Sequence, residues 1–329
     1  MEILIIAVVI FALVFEFING FHDTANAIAT SVYTRALSVG AAIALASGMN
    51  FVGALMFEGV AKTISSGLVG GEIELYVILA ALLGAIVWNL VTWWRGIPSS
   101  SSHALIGSLI GAAVMYAMSL DDIIWSGVLN KVIIPLFTSP LIGFFLGFMV
   151  MKLINWLVHR IPRNKVNKVF LRLQIFSAAA VAFMHGTNDA QKTMGIITMA
   201  LFVAAMLPDP GHIPLWVKIL CGATMAAGTA VGGWKIMKTM GGGVTKLEPA
   251  GGFAAQTTSA SVIGIMTALN APISTTHAIT TSVMGVGSSR RLKSVKWKVA
   301  KDIVTTWVIT LPVSAALGAA FTFVLGFVF

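Results

Sequence analysis

Residues 249–289 form a run of 41 positions without a single Asp, Glu, Lys or Arg. Further charge-free runs cover residues 36–57, 75–94, 96–120, 132–151 and 303–329. A bilayer's hydrocarbon core is about 30 Å thick, and a helix of about 20 mainly apolar residues crosses it. Adding the apolar stretches 3–18, 173–184, 193–207 and 219–234 predicts an all-α polytopic membrane protein with about 10–12 transmembrane segments, some too short to cross alone. A membrane barrel would show alternating strands of about 10 residues instead. Composition agrees: 57% of the 329 residues are apolar and only 10% are charged, against about 25% in soluble domains. So few charges could not cover a soluble surface, which excludes a cytosolic enzyme. Cys221 is the one cysteine, so neither a disulfide framework nor a Cys-rich metal site is available.

The N-terminus reads as the first membrane helix. Glu2 stands where a signal peptide has a basic region, and no small-residue cleavage site follows. The expected location is a plasma membrane or bacterial inner membrane, with several passes. Orientation follows from Lys and Arg in the loops. Six of the 21 basic residues lie in 152–172 and six more in 290–301, so both segments are expected on the cytoplasmic side. The turns at Asp121–Asp122 and 208–214 carry no basic residue and are placed outside. The net charge of +9 therefore reflects topology and lipid head groups. It does not signal nucleic-acid binding.

The two halves repeat one plan. Asn19-Gly20-Phe21-His22-Asp23-Thr24-Ala25-Asn26 aligns with His185-Gly186-Thr187-Asn188-Asp189-Ala190-Gln191-Lys192 in a shared Gly-x-x-Asp frame, displaced by 166 residues. Pro98-Ser99-Ser100-Ser101-Ser102-His103 aligns with Pro272-Ile273-Ser274-Thr275-Thr276-His277, displaced by 174. Two ordered matches in nearly one register indicate duplication. The expected organisation is a first transmembrane repeat at 1–151, a basic linker at 152–172 and a second repeat at 173–329. Duplicated halves with interrupted apolar segments point to the site of a secondary transporter.

A charge near the bilayer centre costs about 2.5–3.5 kcal/mol on insertion scales, so each needs a partner or a task. Asp23 and Asp189 sit beside Asn19, Asn26, Asn188 and Gln191, while Gly20 and Gly186 are expected to let the backbone leave helical geometry. Carboxylate, amide oxygen and freed carbonyls would suit Na⁺, and a protonatable Asp would serve H⁺ equally. The alternative is plain capping by Asn and Asp. The Ser- and Thr-rich segments each precede a Gly- and Ala-rich run, so each is expected to begin a half-helix inside the membrane. Its unpaired N–H groups and hydroxyls would suit an oxyanion, although Ser and Thr also pack between membrane helices. Lys192 either neutralises Asp189 or helps to hold an anion. Glu16 pairs inside the membrane or lies at its edge. Four of the six histidines fall in these motifs without a zinc spacing. No Walker A, G-x-S-x-G or H-E-x-x-H motif is present, leaving ATP-driven transport and hydrolysis without a signature.

These motifs, together with Thr245-Lys-Leu-Glu-Pro-Ala-Gly-Gly-Phe253, resemble the signatures of the inorganic phosphate transporter (PiT) family over nearly the whole chain. The family form Gly-Ala-Asn-Asp is altered at Phe21 and His22 in the first half. The resemblance implies two inverted repeats with broken or re-entrant helices, a central site and alternating access. It implies import of phosphate by cation symport, with Na⁺ favoured over H⁺, and no cofactor beyond the coupling ion. Carried over by position, Asp23, Asn26, Asn188 and Asp189 would serve the cations. Ser101, Ser102, Thr275 and Thr276 would bind phosphate, with Gln191 and Lys192 as helpers. A homodimer in the lipid bilayer is implied as well. The alternatives are a sulfate permease of the same architecture and a membrane receptor that binds without transport.

Overall fold

The computed structural model describes residues 2–71, 73–232, 237 and 244–329, except for the side chains of Ala25 and Asn26. The glycine run Gly241 to Gly243, just ahead of the Thr245 to Phe253 motif, falls outside the described residues. Among the described residues the regular structure is helical, and no strand is present. The elements are α1 (Glu2–Tyr33), α2 (Val39–Ala54), α3 (Gly59–Ser66), α4 (Leu75–Arg95) and α5 (Ser101–Ala117). They continue with α6 (Trp125–Val158), α7 (Arg163–Val203), α8 (Leu215–Val231), α9 (Pro249–Ala268), α10 (Thr275–Ser288) and α11 (Trp297–Leu325).

Helices α1, α4, α6, α7 and α11 are long and apolar enough to cross a membrane, and α2 with α3 makes a span bent by 67°. At 1.5 Å per residue, α5 and α10 reach only about 26 Å and about 21 Å, short of a bilayer core. Local chemistry sets their starts. Ser100 and Ser274 are the N-caps, and each hydroxyl accepts from the backbone N–H three residues on, His103 and His277, at 3.2 Å. Helix α4 ends where Gly96 turns left-handed at φ 66°, a conformation that costs glycine nothing. Large apolar side chains stay exposed along the long helices, including Phe137, Phe145 and Met149 on α6 and Phe176 on α7. Such a surface belongs in lipid.

The packing respects the duplication. Helix α1 packs on α8 as α7 packs on α2, and α4 packs on α5 as α9 packs on α10. The long closing helices are swapped: α11 covers α5 of the first half, and α6 covers α10 of the second. Both closing helices carry an internal proline, Pro140 and Pro312, at corresponding positions. The buried apolar residues form two clusters. Helix α1 contributes Ile5 to Phe21 to the first cluster and Ala27 to Ala29 to the second, whereas α7 contributes Phe170 to Ala182 to the second and Ala190 to Leu201 to the first. The two helices thus traverse the clusters in opposite order, which is what an inverted repeat requires.

The Gly-x-x-Asp motifs lie at the hand-over between the clusters, inside unbroken helices of 32 and 41 residues. The expected backbone breaks at Gly20 and Gly186 are absent. These glycines serve close helix crossing instead. A Cβ on Gly20 would stand 2.5 Å from the Met225 carbonyl oxygen, and one on Gly186 would stand 2.3 Å from that of Asn50. Gly228 and Gly53 complete the two crossings against Phe17 and Phe183. The breaks fall elsewhere, between α2 and α3 and ahead of α5 and α10.

Segment 152–172 is the end of α6, a short turn and the start of α7. Met151, Lys246, Arg290, Lys293 and Lys296 line one cavity of about 410 Å³, so the two basic segments share an end of the molecule. The Arg290 guanidinium donates to both Glu248 oxygens at 2.9 and 2.5 Å and holds that carboxyl below the usual carboxylate range. This contact is therefore intact at neutral pH and is lost as pH falls through the lowered value. The two turns without basic residues also share an end: Ser65 bonds the Pro210 carbonyl at 2.7 Å, and Gly70 bonds that of Asp122 at 2.8 Å.

Gly186→Val forces the α2–α7 crossing apart and should destabilise the protein by about 2–4 kcal/mol. Gly48→Ala adds its methyl in open space and should leave the melting temperature unchanged or raise it. Thermal melts of the detergent-solubilised proteins test the pair, and equal melting of Gly186→Val and wild type contradicts the close-crossing role.

Candidate functional site

The N-terminal turns of α5 and α10 meet in the interior, facing the motif segments of α1 and α7. Asp23, Asp189, Lys192, Ser101, Ser102, Thr275 and Thr276 are all at most 1% exposed. Asp23 Oδ1 accepts from His22 Nδ1 at 2.7 Å and from Thr276 Oγ1 at 3.1 Å. Its Oδ2 accepts from the Ser101 hydroxyl. Asp189 Oδ2 accepts from Thr275 Oγ1 at 3.0 Å and lies 3.2 Å from His185 Nε2, while its Oδ1 accepts from Lys192 Nζ at 2.5 Å. Each aspartate therefore meets a hydroxyl from the half-helix of its own repeat, Ser101 for Asp23 and Thr275 for Asp189. Asp23 also meets Thr276 from the opposite repeat.

Ser101 has one proton and two oxygen neighbours, Asp23 Oδ2 and, at 2.8 Å, Asn19 Oδ1. With the proton given to the carboxylate, the Asn19 amide is best turned so that its nitrogen donates to Ser101. Ser102 accepts from Lys192 Nζ and donates to the Ile273 carbonyl at 2.9 Å, tying the two half-helix starts together. The first-turn amides of α5 and α10 have no partner within their own helices, and their dipoles favour negative charge. Behind them, the His103 and His277 rings lie 4.9 Å apart, and Trp307 of α11 lies 3.8 Å from His277. Trp307 also donates to the Pro98 carbonyl at 3.2 Å, which holds the approach to α5.

The remaining predicted site residues divide. Asn188 Nδ2 donates to Thr267 Oγ1 at 3.0 Å and to the Ala271 carbonyl at 3.1 Å, holding the approach to α10. Its Oδ1 is buried without a hydrogen-bond partner, the state expected of an oxygen kept for a ligand. Gln191 is engaged differently. Its Oε1 accepts from the N–H groups of Val60 at 2.9 Å and Ala61 at 3.1 Å, capping α3, while its Nε2 donates to the Thr187 carbonyl. The Asn26 side chain lies outside the described residues. Glu16 is fully buried, and Oε2 accepts from Thr193.

Sequence reasoning passed over a polar chain that joins the two motifs. Asn50 Oδ1 lies 3.1 Å from His185 Nδ1, and Asn50 Nδ2 donates to Thr24 at 3.0 Å and Thr229 at 3.1 Å. Asn50 thereby connects the histidine beside Asp189 to the residue following Asp23. The available signal was a single amide inside the charge-free run 36–57.

A family model described as the phosphate transporter family matches residues 19–318. A probable low-affinity inorganic phosphate transporter of Bacillus subtilis (strain 168) is 51% identical over 330 residues, covering 99% of this chain and 98% of its own length. One of Rhizobium meliloti (strain 1021) is 45% identical over 318 residues, covering 96% of this chain and 95% of its own. Among solved structures, one described as the sodium-dependent phosphate transporter superposes with a TM-score of 0.92 at 27% identity, covering 100% of both chains. The resemblance seen in the motifs thus extends through the whole sequence and fold, and this chain belongs to the phosphate transporter family.

Proposed function

We propose that this chain imports inorganic phosphate by cation symport through alternating access, with Na⁺ as the coupling ion. The observation that carries the reading is the convergence of two half-helix N-termini, four hydroxyls and two buried aspartates from both halves. The similar fold of a protein described as sodium-dependent supports the choice of ion. We place phosphate against the hydroxyls and first-turn amides of Ser101, Ser102, Thr275 and Thr276. Asp23, Asp189, the spare Asn188 oxygen and Asn26 are assigned to the cation side. The repeats 1–151 and 173–329 would move about this site, in a cell membrane and as a homodimer.

Hydroxyl chemistry couples the two ligands. Ser101 and Thr275 each have one proton, and each gives it to an aspartate. A cation on Asp23 takes over that oxygen and turns the Ser101 proton toward the anion. The charge argument points the same way. Two unit charges about 4 Å apart repel by about 4 kcal/mol at an effective dielectric of about 20, which is about a thousandfold in affinity. Phosphate carrying about −1.5 to −2, by analogy with phosphoesters, would not settle beside Asp23 without a compensating cation.

In proteoliposomes, an inward Na⁺ gradient should drive phosphate uptake above that from a pH gradient alone, with arsenate competing and sulfate failing to compete. Asp23→Asn should reduce Na⁺-driven uptake to background while eluting as folded protein. Near wild-type uptake by this variant contradicts the assignment. We assign Gln191 to positioning α3. Gln191→Leu strands two backbone donors and should destabilise the protein by about 1–3 kcal/mol in thermal melts; an unchanged melt with a raised KM for phosphate would place Gln191 on the anion instead.

A further inference from the structure

We propose that Lys192 is a tethered cation, occupying in the second half the place that a free coupling cation takes in the first. The inference rests on the symport reading above and specifies its stoichiometry. Of the two matched aspartates, only Asp23 would then recruit an ion from solution.

The geometry of the ammonium carries the argument. Lys192 is 1% exposed, and Nζ donates to Asp189 Oδ1 at 2.5 Å, to the Ile273 carbonyl at 2.9 Å and to Ser102 Oγ. A carboxylate, a backbone carbonyl and a hydroxyl are the hard oxygens that an alkali cation would use. An ammonium has three donors, and protein oxygens take all three. None is left for a phosphate oxygen, so Lys192 serves the carboxylate and does not serve the anion.

The other half supplies the control. Asn26 occupies the position matching Lys192, so the sequence places no cation there. Thr276, the counterpart of Ser102, donates directly to Asp23 Oδ1 at 3.1 Å. In the second half the ammonium is inserted between the corresponding hydroxyl and carboxylate. The Asp189–Lys192 pair sums to zero charge. Of the rings facing these carboxylates, His22 can donate to Asp23 while neutral, and His185 lies 3.2 Å from the other Asp189 oxygen. The His22 ring is therefore not needed as a cation. A buried carboxylate deprived of its ion partner is strongly unfavourable, so removing the ammonium should make Asp189 recruit one.

The test compares wild type, Lys192→Asn and Lys192→Arg, reconstituted as full chains, by parallel initial rates of radiolabelled sodium and phosphate uptake. Wild type should carry one sodium per phosphate, Lys192→Asn one sodium more, and Lys192→Arg the wild-type ratio. As a readout independent of turnover, replacing choline chloride with NaCl in phosphate-free detergent should raise the melting temperature of Lys192→Asn more than that of wild type. A Lys192→Asn ratio equal to wild type overturns the proposal, as does an unchanged sodium effect on its melting. Should Lys192→Asn not yield folded protein, the wild-type ratio decides, since two or more sodium ions per phosphate is incompatible with a filled second cage. Wild type without sodium-driven phosphate uptake overturns the symport reading itself. That outcome differs from sodium-driven uptake whose ratio ignores residue 192.

Discussion

Two aspartates, Asp23 and Asp189, are buried at matched positions in the centre of a protein whose outer surface presents hydrocarbon to hydrocarbon. Burying an unpaired charge costs far more than a domain's net stability, so each must be surrounded by donors. The motif helices cannot supply enough of these alone. The donors come from the starts of α5 and α10, where a helix necessarily exposes unbonded N–H groups and where Ser and Thr are favoured residues. Half-helices that stop inside the protein would be a defect anywhere else in a bilayer. Here they face the carboxylates, and the two irregularities satisfy each other.

That arrangement sets the rest of the architecture. Because α5 and α10 begin in the interior, the approaches to them must be pinned by side chains: Trp307 and Thr92 on one side, Asn188 and Thr267 on the other. The swapped closing helices α6 and α11 cover the half-helices of the opposite repeat, so neither half completes its own site. Glycines at the α1–α8 and α2–α7 crossings let the backbones approach closely beside the polar centre. The site and the swap are one device. In the alternating access proposed above, relative movement of the halves would change the environment of both aspartates together.

Much of this was legible in residue order. Charge-free runs marked the helices, and paired motifs marked the duplication. The Pro-Ser-Ser-Ser-Ser-His and Pro-Ile-Ser-Thr-Thr-His segments marked helix starts at their capping serines, because N-capping is local chemistry. What failed was the reading of Gly20 and Gly186 as breaks. A glycine that permits irregular backbone and one that permits close helix contact look identical in sequence, and only the neighbouring helix distinguishes them. The swap of α6 and α11 was hidden because helix partners leave no local mark in a uniformly apolar segment. Asn50 and Thr229 were likewise overlooked, each being one polar residue in an apolar run. The contact of Gln191, a helper of the anion by position in the family resemblance, with the start of α3 leaves no mark in sequence, because its partners there lie more than a hundred residues away.

The central claim is that one anion sits between the two half-helix starts, held by both repeats at once. Its most direct test is an experimental structure of the protein with sodium and arsenate, using arsenic anomalous scattering to locate the anion. The account predicts a single peak within hydrogen-bond reach of the Ser101 or Ser102 hydroxyl from one repeat and the Thr275 or Thr276 hydroxyl from the other. A peak confined to one repeat, or lying among the basic residues near Arg290 and Lys293, would contradict it.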